Sequence, residues 1–141
     1  MGEEALSEIY DYYNKEQTIA LATVEGDQPR LRFVTLLHHE DRFFIATGSE
    51  NAKVEQIRRN PKVEFLLLVT KVGDTGSIRV ESQASMVQDN AIRAALFNEV
   101  EFMKRFWESL EDPSLTLIEL RPTAFQYMKP GEYHEERIVV K

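Results

Sequence analysis

The chain alternates between short apolar stretches and clusters of turn-forming residues. In several stretches every second side chain is apolar, which is typical of a strand with one buried face. Residues 18–24 are instead small or β-branched almost throughout and indicate a strand that is buried on both faces. Glycine, proline, asparagine and aspartate lie between the stretches, where tight turns need them. The pattern predicts six strands, at residues 18–24, 30–38, 42–47, 62–70, 77–87 and 115–128.

Helical spacing of apolar residues occurs in three places. Residues 7–15 predict a short amphipathic helix. A second helix is expected after Gly48, with Ser49 as its cap, and it ends at 60–61 because proline cannot continue a helix. Residues 89–108 give the clearest helical pattern of the chain. Its apolar stripe contains Ile92, Leu96, Val100, Met103 and Trp107.

These elements predict a mainly β (α+β) fold. Tight turns between the early strands favour antiparallel pairing. A closed or partly closed antiparallel barrel of about six strands, with two or three short helices, fits the order better than a parallel α/β sheet. The length of 141 residues suits a single domain, 1–141, with one core.

Composition narrows the classes of function. The formal net charge of −7 and the pI of about 5.0 argue against a nucleic-acid-binding protein with a basic surface, but they leave room for a local anion site. The absence of cysteine excludes disulfides and thiolate metal sites. The acidic N-terminus lacks an apolar signal core, and no apolar run approaches the length of a membrane span. We therefore expect a soluble, cytoplasmic protein without membrane contact.

Lys53 is the first candidate functional residue because it lies near the start of the second predicted helix. The helix macrodipole disfavours a cation there, and a bound phosphate would reverse that preference. Arg30 and Arg32 share one face of the preceding hairpin, and either could reach the same anion. In the alternative interpretation Lys53 pairs with Glu50 or points into water, and both arginines are solvated.

Other chemistry finds little support in the residue pattern. His38 and His39 are adjacent on a strand and point to opposite faces, so they cannot share a metal, and we expect surface or turn-flanking histidines and no metal site. No nucleophile or nucleotide motif occurs, and no pair of carboxylates is placed for acid–base catalysis. Three aromatic residues offer a flat apolar wall, although core or dimer packing suits them better: Phe125, Tyr127 and Tyr133.

Three ordered segments resemble the flavin-binding split barrel of the pyridoxamine 5′-phosphate oxidase-like superfamily. TIALATVEGDQPRLRFV is similar to a first strand, a Gly-Asp turn and then P-x-x-R. FFIATGSENAKVEQIRRNPKVEFLLL is similar to a strand ending in threonine, a lysine six residues later, Asn-Pro and an apolar strand. SIRVESQASMV is similar to the strand that follows. The resemblance implies an antiparallel split β-barrel, with FMN at the interface of a homodimer.

The resemblance also implies roles for individual residues. Arg32 ends P-x-x-R and matches the arginine that holds the phosphate of FMN, and Lys53 matches the phosphate-binding lysine. Ser77 corresponds to a polar cofactor-binding position on the later strand. The remaining positions match the two strand segments that follow the flavin ring: Phe33, Val34, Thr35, Ala46 and Thr47.

Departures from the family pattern point away from the oxidases proper. Ala52 stands where those enzymes often carry a second basic residue, and Ser82 replaces a usual glycine. The C-terminal substrate arginines are not recognisable in YHEERIVVK, so the chain looks more similar to the short general-stress-protein type. The implied function is that of a flavin-dependent oxidoreductase of undefined substrate. The alternatives are a non-catalytic carrier of flavin, deazaflavin or haem, and a barrel that serves as an interaction module.

Overall fold

The computed structural model describes residues 2–141 and contains seven strands and four helices within that range. The helices are α1 (Gly2–Asp11), α2 (Ala52–Arg59), α3 (Asn90–Glu99) and α4 (Glu101–Phe106). The strands are β1 (Glu16–Glu25), β2 (Gln28–His39), β3 (Arg42–Gly48), β4 (Lys62–Lys71), β5 (Asp74–Met86), β6 (Leu115–Met128) and β7 (Glu136–Val139).

All strands belong to one antiparallel sheet that closes on itself. The order is β3-β2-β1-β4-β5-β6-β7, and an additional pairing of β3 with β6 completes a six-stranded ring. β7 adds to β6 beyond the part that pairs with β3. The predicted mainly β split barrel of about six strands is confirmed.

The structure corrects several sequence-based boundaries. α1 begins earlier than the predicted helix 7–15, and the tail after residue 129, for which no strand was predicted, contains β7. Asn51, rather than Ser49, caps α2: its Oδ1 accepts a hydrogen bond from the backbone N–H of Lys53 at 3.2 Å. The hydroxyl of Ser49 instead bonds the carbonyl of Pro113 at 2.9 Å.

The predicted helix 89–108 is two helices. The backbone of Val100 is extended (φ −110°, ψ 116°), which separates α3 from α4. Val100 keeps its side chain in the core, with an exposed fraction of 3%, so packing against the sheet determines the break. The expected irregularity near Ser82 is confirmed, because the register of β5 with β6 shifts between Glu81 and Ser82.

The core has two parts that meet at β3. Phe43 and Ile45 belong to the cluster inside the barrel, whereas Phe44 and Ala46 belong to a second cluster that β3 and β6 form with α3 and α4. β3 is therefore buried on both faces, which explains its continuous apolar sequence. α3 and α4 are held against the outside of the barrel beside β2 and β3. Between residues 2 and 141 no helix has both the length and the apolar character needed to cross a membrane.

Candidate functional site

The candidate site is a cleft that opens where β2 and β3 separate. The two strands pair only from Leu37↔Phe44 to His39↔Arg42, next to their connecting turn. Beyond these pairs β2 stays with β1, and β3 turns to pair with β6. Residues 33–35 and 45–48 line the resulting gap, which has a volume of about 340 Å³. Backbone N–H and C=O groups on these separated edges are available to a ligand.

Lys53 lies at one end of this cleft, in the first turn of α2. Its side chain is only 7% exposed, and its Nζ donates a hydrogen bond to the hydroxyl of Thr47 at 2.8 Å. Within the described part of the chain no carboxylate lies within ion-pair distance of Lys53, so the alternative pairing with Glu50 is not formed. Burial lowers the pKa of Lys53, and the nearby charge of Arg32 lowers it further.

Arg32 is the second cation beside this end of the cleft. Its Nη1 donates to the hydroxyl of Thr23 at 2.8 Å and its Nη2 to the Oε1 of Gln56 at 2.7 Å. The hydroxyl of Thr23 donates to the same Oε1 at 2.6 Å, so Gln56 joins α2 to β1 and β2. Burial first and the charge of Arg30 second lower the pKa of Arg32. All hydrogen-bond partners of Arg32 between residues 2 and 141 are neutral.

The positive charge of this end of the cleft is not compensated. Arg30 forms an exposed ion pair with Glu25 at 2.8 Å, and Arg32 and Lys53 have no such partner among residues 2–141. None of the described residues that line the cleft is acidic. Holding two cations close together and away from water is unfavourable unless an anion joins them. The donor set therefore fits a phosphate group, which accepts several charge-assisted hydrogen bonds.

A second hollow, of about 530 Å³, lies between α2 and the turn after β1. Its lining contains Glu25 and Glu55, and Glu55 already pairs with Arg59 at 2.8 Å. Carboxylates at this position oppose an anionic ligand, so the larger hollow is the weaker candidate.

The far side of the cleft is aromatic and comes from residues that the sequence analysis assigned to a helix without functional role. It is lined by Phe102 at the start of α4, Phe106 at its end and Trp107 just beyond it. Only Trp107 was predicted, and then as part of a core stripe. The density of aromatic residues in FMKRFW was the available signal, but the turn at Val100 that brings these rings to the cleft is not visible in the sequence.

The structure brings most of the predicted cofactor-binding residues together. Arg32 does not line the cleft, and its partner Gln56 lines the second hollow, but Arg32 is close enough to Lys53 for its charge to lower the pKa of that lysine. Ser77 lies elsewhere in the chain, half-buried on β5 between Leu68 and Met128, and its role stays a prediction. The cleft is lined by Phe33, Val34, Thr35, Ala46, Thr47 and Lys53 from the predicted set.

The histidines lie outside the cleft. His38 and His39 flank the β2–β3 turn, as expected, but their side chains are largely buried at 14% and 18% exposure. His39 lies 3.0 Å from a carboxylate oxygen of Glu99, and Nδ1 of His38 lies 3.4 Å from the carbonyl of Tyr13. Across residues 2–141, no group of three or more His, Asp or Glu side chains is arranged to hold a metal ion.

The sequence profile of the pyridoxamine 5′-phosphate oxidase family matches residues 5–129 of the chain. General stress protein 26 of Bacillus subtilis (strain 168) is 25% identical over 125 residues, which cover 88% of each chain. The crystal structure of General Stress Protein 26 from Bacillus anthracis str. Sterne superimposes with a TM-score of 0.77 at 26% identity, over 97% of this chain and 99% of that one.

Two more distant structures share the fold. A haem-binding protein from Mycobacterium smegmatis has a TM-score of 0.78 at 15% identity, over 99% of this chain and 58% of that one. An FAD-binding protein from Mesorhizobium loti has a TM-score of 0.70 at 13% identity, over 85% and 89% of the two chains. At these identities the likeness concerns the fold alone.

Proposed function

Because the chain belongs to the pyridoxamine 5′-phosphate oxidase family, we propose that its cleft binds FMN and that the protein is a flavin-dependent oxidoreductase. The observation that carries the proposal is the uncompensated pair of cations, Lys53 and Arg32, at one end of a cleft without acidic residues. A phosphate placed there accepts hydrogen bonds from Nζ of Lys53 and from the guanidinium of Arg32. The start of α2 reinforces the attraction with its partial positive charge.

The separated strands supply the complementary part of the site. Phe33, Val34 and Thr35 on one edge, and Ala46 and Thr47 on the other, offer backbone groups to the polar edge of a planar heterocycle. These residues orient the ring, and the flavin when bound supplies the electron or hydride transfer. A requirement for orientation rather than acid–base catalysis agrees with a lining that has no His, Asp or Glu side chain.

The site fits haem less well than flavin. Among residues 2–141 no His, Met or Tyr side chain lines the cleft, and cysteine does not occur in the chain, so the described residues do not offer the usual axial ligands of haem iron there. The likeness to a haem-binding protein from Mycobacterium smegmatis, at 15% identity, is a likeness of the fold alone and does not favour haem here. A flavin carrier without turnover uses the same binding residues and is the alternative that the experiment must separate.

We also propose that the protein is a homodimer with the cofactor at the interface. Leu31 and Phe33 lie on one face of β2 and are 74% and 78% exposed, although both are large and apolar. The outer edge of β2 has no strand partner before Leu37 among residues 2–141. An apolar patch on an open strand edge favours association, and Phe33 places that patch at the rim of the cleft.

The test is a titration with FMN, followed by absorption and by equilibrium dialysis, of the wild type and three variants. Lys53→Met and Arg32→Met are each expected to weaken FMN binding about 10- to 100-fold, since each removes a charge-assisted contact. Arg30→Met is the matched control, because Arg30 is on the same strand but pairs with Glu25. Unchanged affinity in both site variants would refute the phosphate assignment. Bleaching of bound FMN by NADH or NADPH distinguishes the oxidoreductase from an inert carrier.

A further inference from the structure

The aromatic residues of the cleft form a continuous wall. We call Phe102, Phe106 and Trp107 the α4 aromatic wall. The ring centroids of Phe102 and Phe106 are 5.0 Å apart, and those of Phe106 and Trp107 are 5.9 Å apart. Phe102 and Trp107 are separated by 6.4 Å in an edge-to-face arrangement. The three rings therefore contact one another as a cluster as well as lining the cleft.

The wall is held in place from two sides. The backbone N–H of Phe102 donates to Oε1 of Glu16 on β1 at 2.7 Å, which ties the start of α4 to the barrel. Met103, completely buried, anchors the opposite face of the helix in the core. The guanidinium of Arg105 lies 5.9 Å from the centre of the Phe102 ring and further restricts it. A wall that is fixed before a ligand arrives loses little conformational freedom on binding.

Phe106 is exposed in a way that packing within the chain does not account for. Its side chain is 65% exposed, whereas Trp107 beside it is only 9% exposed. Phe106 follows Phe102 by four residues and shares its helix face, so both rings lie toward the cleft. A large apolar side chain at the rim of a cleft is favourable when a ligand covers it.

The shape and charge of the cleft define the ligand that the wall suits. Two strand edges form one side and aromatic rings the other, and the volume of about 340 Å³ admits a single flat ring system. Without acidic side chains the lining offers no partner to a cationic ring. Aromatic faces stack on planar, electron-poor heterocycles without needing a charge.

We propose that the α4 aromatic wall is a ring subsite that binds an uncharged planar heterocycle on its own, with Phe106 as the residue that stacks on the bound ring. This inference rests on the proposed function, because it assigns the two parts of the cofactor to separate subsites. The strands and the aromatic wall take the ring, and Lys53 with Arg32 takes the phosphate. The ring contact then comes from the same chain that holds the phosphate.

Lumiflavin, which has the flavin ring but no phosphate, is the probe. Trp107 is the single tryptophan of the chain and lines the cleft, so quenching of intrinsic fluorescence reports ring binding directly. We expect saturable quenching by lumiflavin in the wild type. Phe106→Leu should weaken the binding of lumiflavin and the binding of FMN by the same factor, about tenfold, because it removes the aromatic ring that stacks on the ligand. Phe106→Tyr keeps the ring and should bind both ligands nearly as the wild type does.

Lys53→Met separates the two subsites in the same assay. It should weaken the binding of FMN by a much larger factor than the binding of lumiflavin, since lumiflavin has no phosphate. Binding of FMN without any binding of lumiflavin, or equal affinities in Phe106→Leu and the wild type, would overturn the ring subsite and leave the phosphate site intact. Failure of both ligands to bind the wild type would overturn the proposed function together with the ring subsite.

Discussion

At the scale of single residues, the proposal of an anion site depends above all on Lys53. Its position in the sequence is compatible with an anion site and with an ordinary surface lysine. The structure buries it, gives it one neutral partner in Thr47 and places Arg32 close enough to lower its pKa. A buried cation without a carboxylate is unfavourable for folding, and such groups are typical of ligand sites.

The same pKa shift predicts how stability depends on pH. The folded-state pKa of Lys53 lies below its ordinary value of 10.5, so the unfolded chain binds more protons between those two values. The contribution of Lys53 to the free energy of unfolding therefore rises as pH increases toward 10.5. As pH rises over that range, we expect the free energy of unfolding of the wild type to increase relative to that of Lys53→Met. Urea denaturation at several pH values, without phosphate in the buffer, measures it.

The exposed Lys71 on β4 provides the control for this experiment. Lys71→Met removes one positive charge without emptying a buried position. If both variants gave the same pH dependence as the wild type, the buried charge of Lys53 would not be destabilising, and the argument for an anion site would lose its energetic basis.

At the scale of elements, the C-terminal strand β7 matters more than its four residues indicate. It pairs with β6 at Ala124 to Tyr127, where β3 no longer covers that edge. The side chain of Ile138 belongs to the barrel core, and only 8% of it is exposed to solvent. Outside the barrel, Arg137 pairs with Glu81, and Arg79 pairs with Glu135 just before β7 at 2.7 Å. β7 therefore covers the end of the barrel core with Ile138 and pairs with an otherwise unpaired part of the β6 edge.

A pair of neighbouring variants tests this role of β7. Ile138→Ala is expected to lower the free energy of unfolding by about 2 kcal/mol, because it leaves a cavity at the end of the core. Val139, in the same strand, is also β-branched but is 61% exposed. Val139→Ala should lower the free energy of unfolding by less than about 0.5 kcal/mol. Chemical denaturation gives both values. Equal effects would mean that β7 is held by backbone pairing rather than by Ile138.

For the whole molecule, the important feature is the incomplete pairing of the barrel. The β2–β3 contact spans three residue pairs, and the β1–β4 contact also spans three. The other strand pairs of the ring extend over longer stretches, as β4 and β5 do from Lys62 to Lys71. The six strands form a complete ring, but β2 and β3 separate over most of their length. The cleft, the unpaired edge of β2 and the exposed side chains of Leu31 and Phe33 therefore lie in one region.

This arrangement underlies the prediction for oligomeric state. Light scattering coupled to gel filtration should give twice the chain mass of 16.4 kDa for the wild type. Leu31→Asp should give the monomer and weaken FMN binding, because it places a charge in an apolar interface beside the cleft. Val72→Asp is the control, since Val72 is 96% exposed in the turn between β4 and β5. A monomeric wild type at micromolar concentration would contradict the proposed homodimer.

The sequence by itself determined six of the seven strands and the antiparallel pairing of the early ones, and it predicted six of the residues that line the cleft. The alternation of apolar residues, the turn residues, and the P-x-x-R and lysine positions each depend on residues close together in the chain. Such local patterns can be recognised in a single sequence. Only the tertiary structure decided that Lys53 is buried beside Arg32, that Val100 divides a helix and that Phe102 and Phe106 face the cleft. These features depend on contacts between distant segments, such as Glu16 with Phe102. Packing overrides local helical preference at Val100, and no periodicity in the chain encodes that contact.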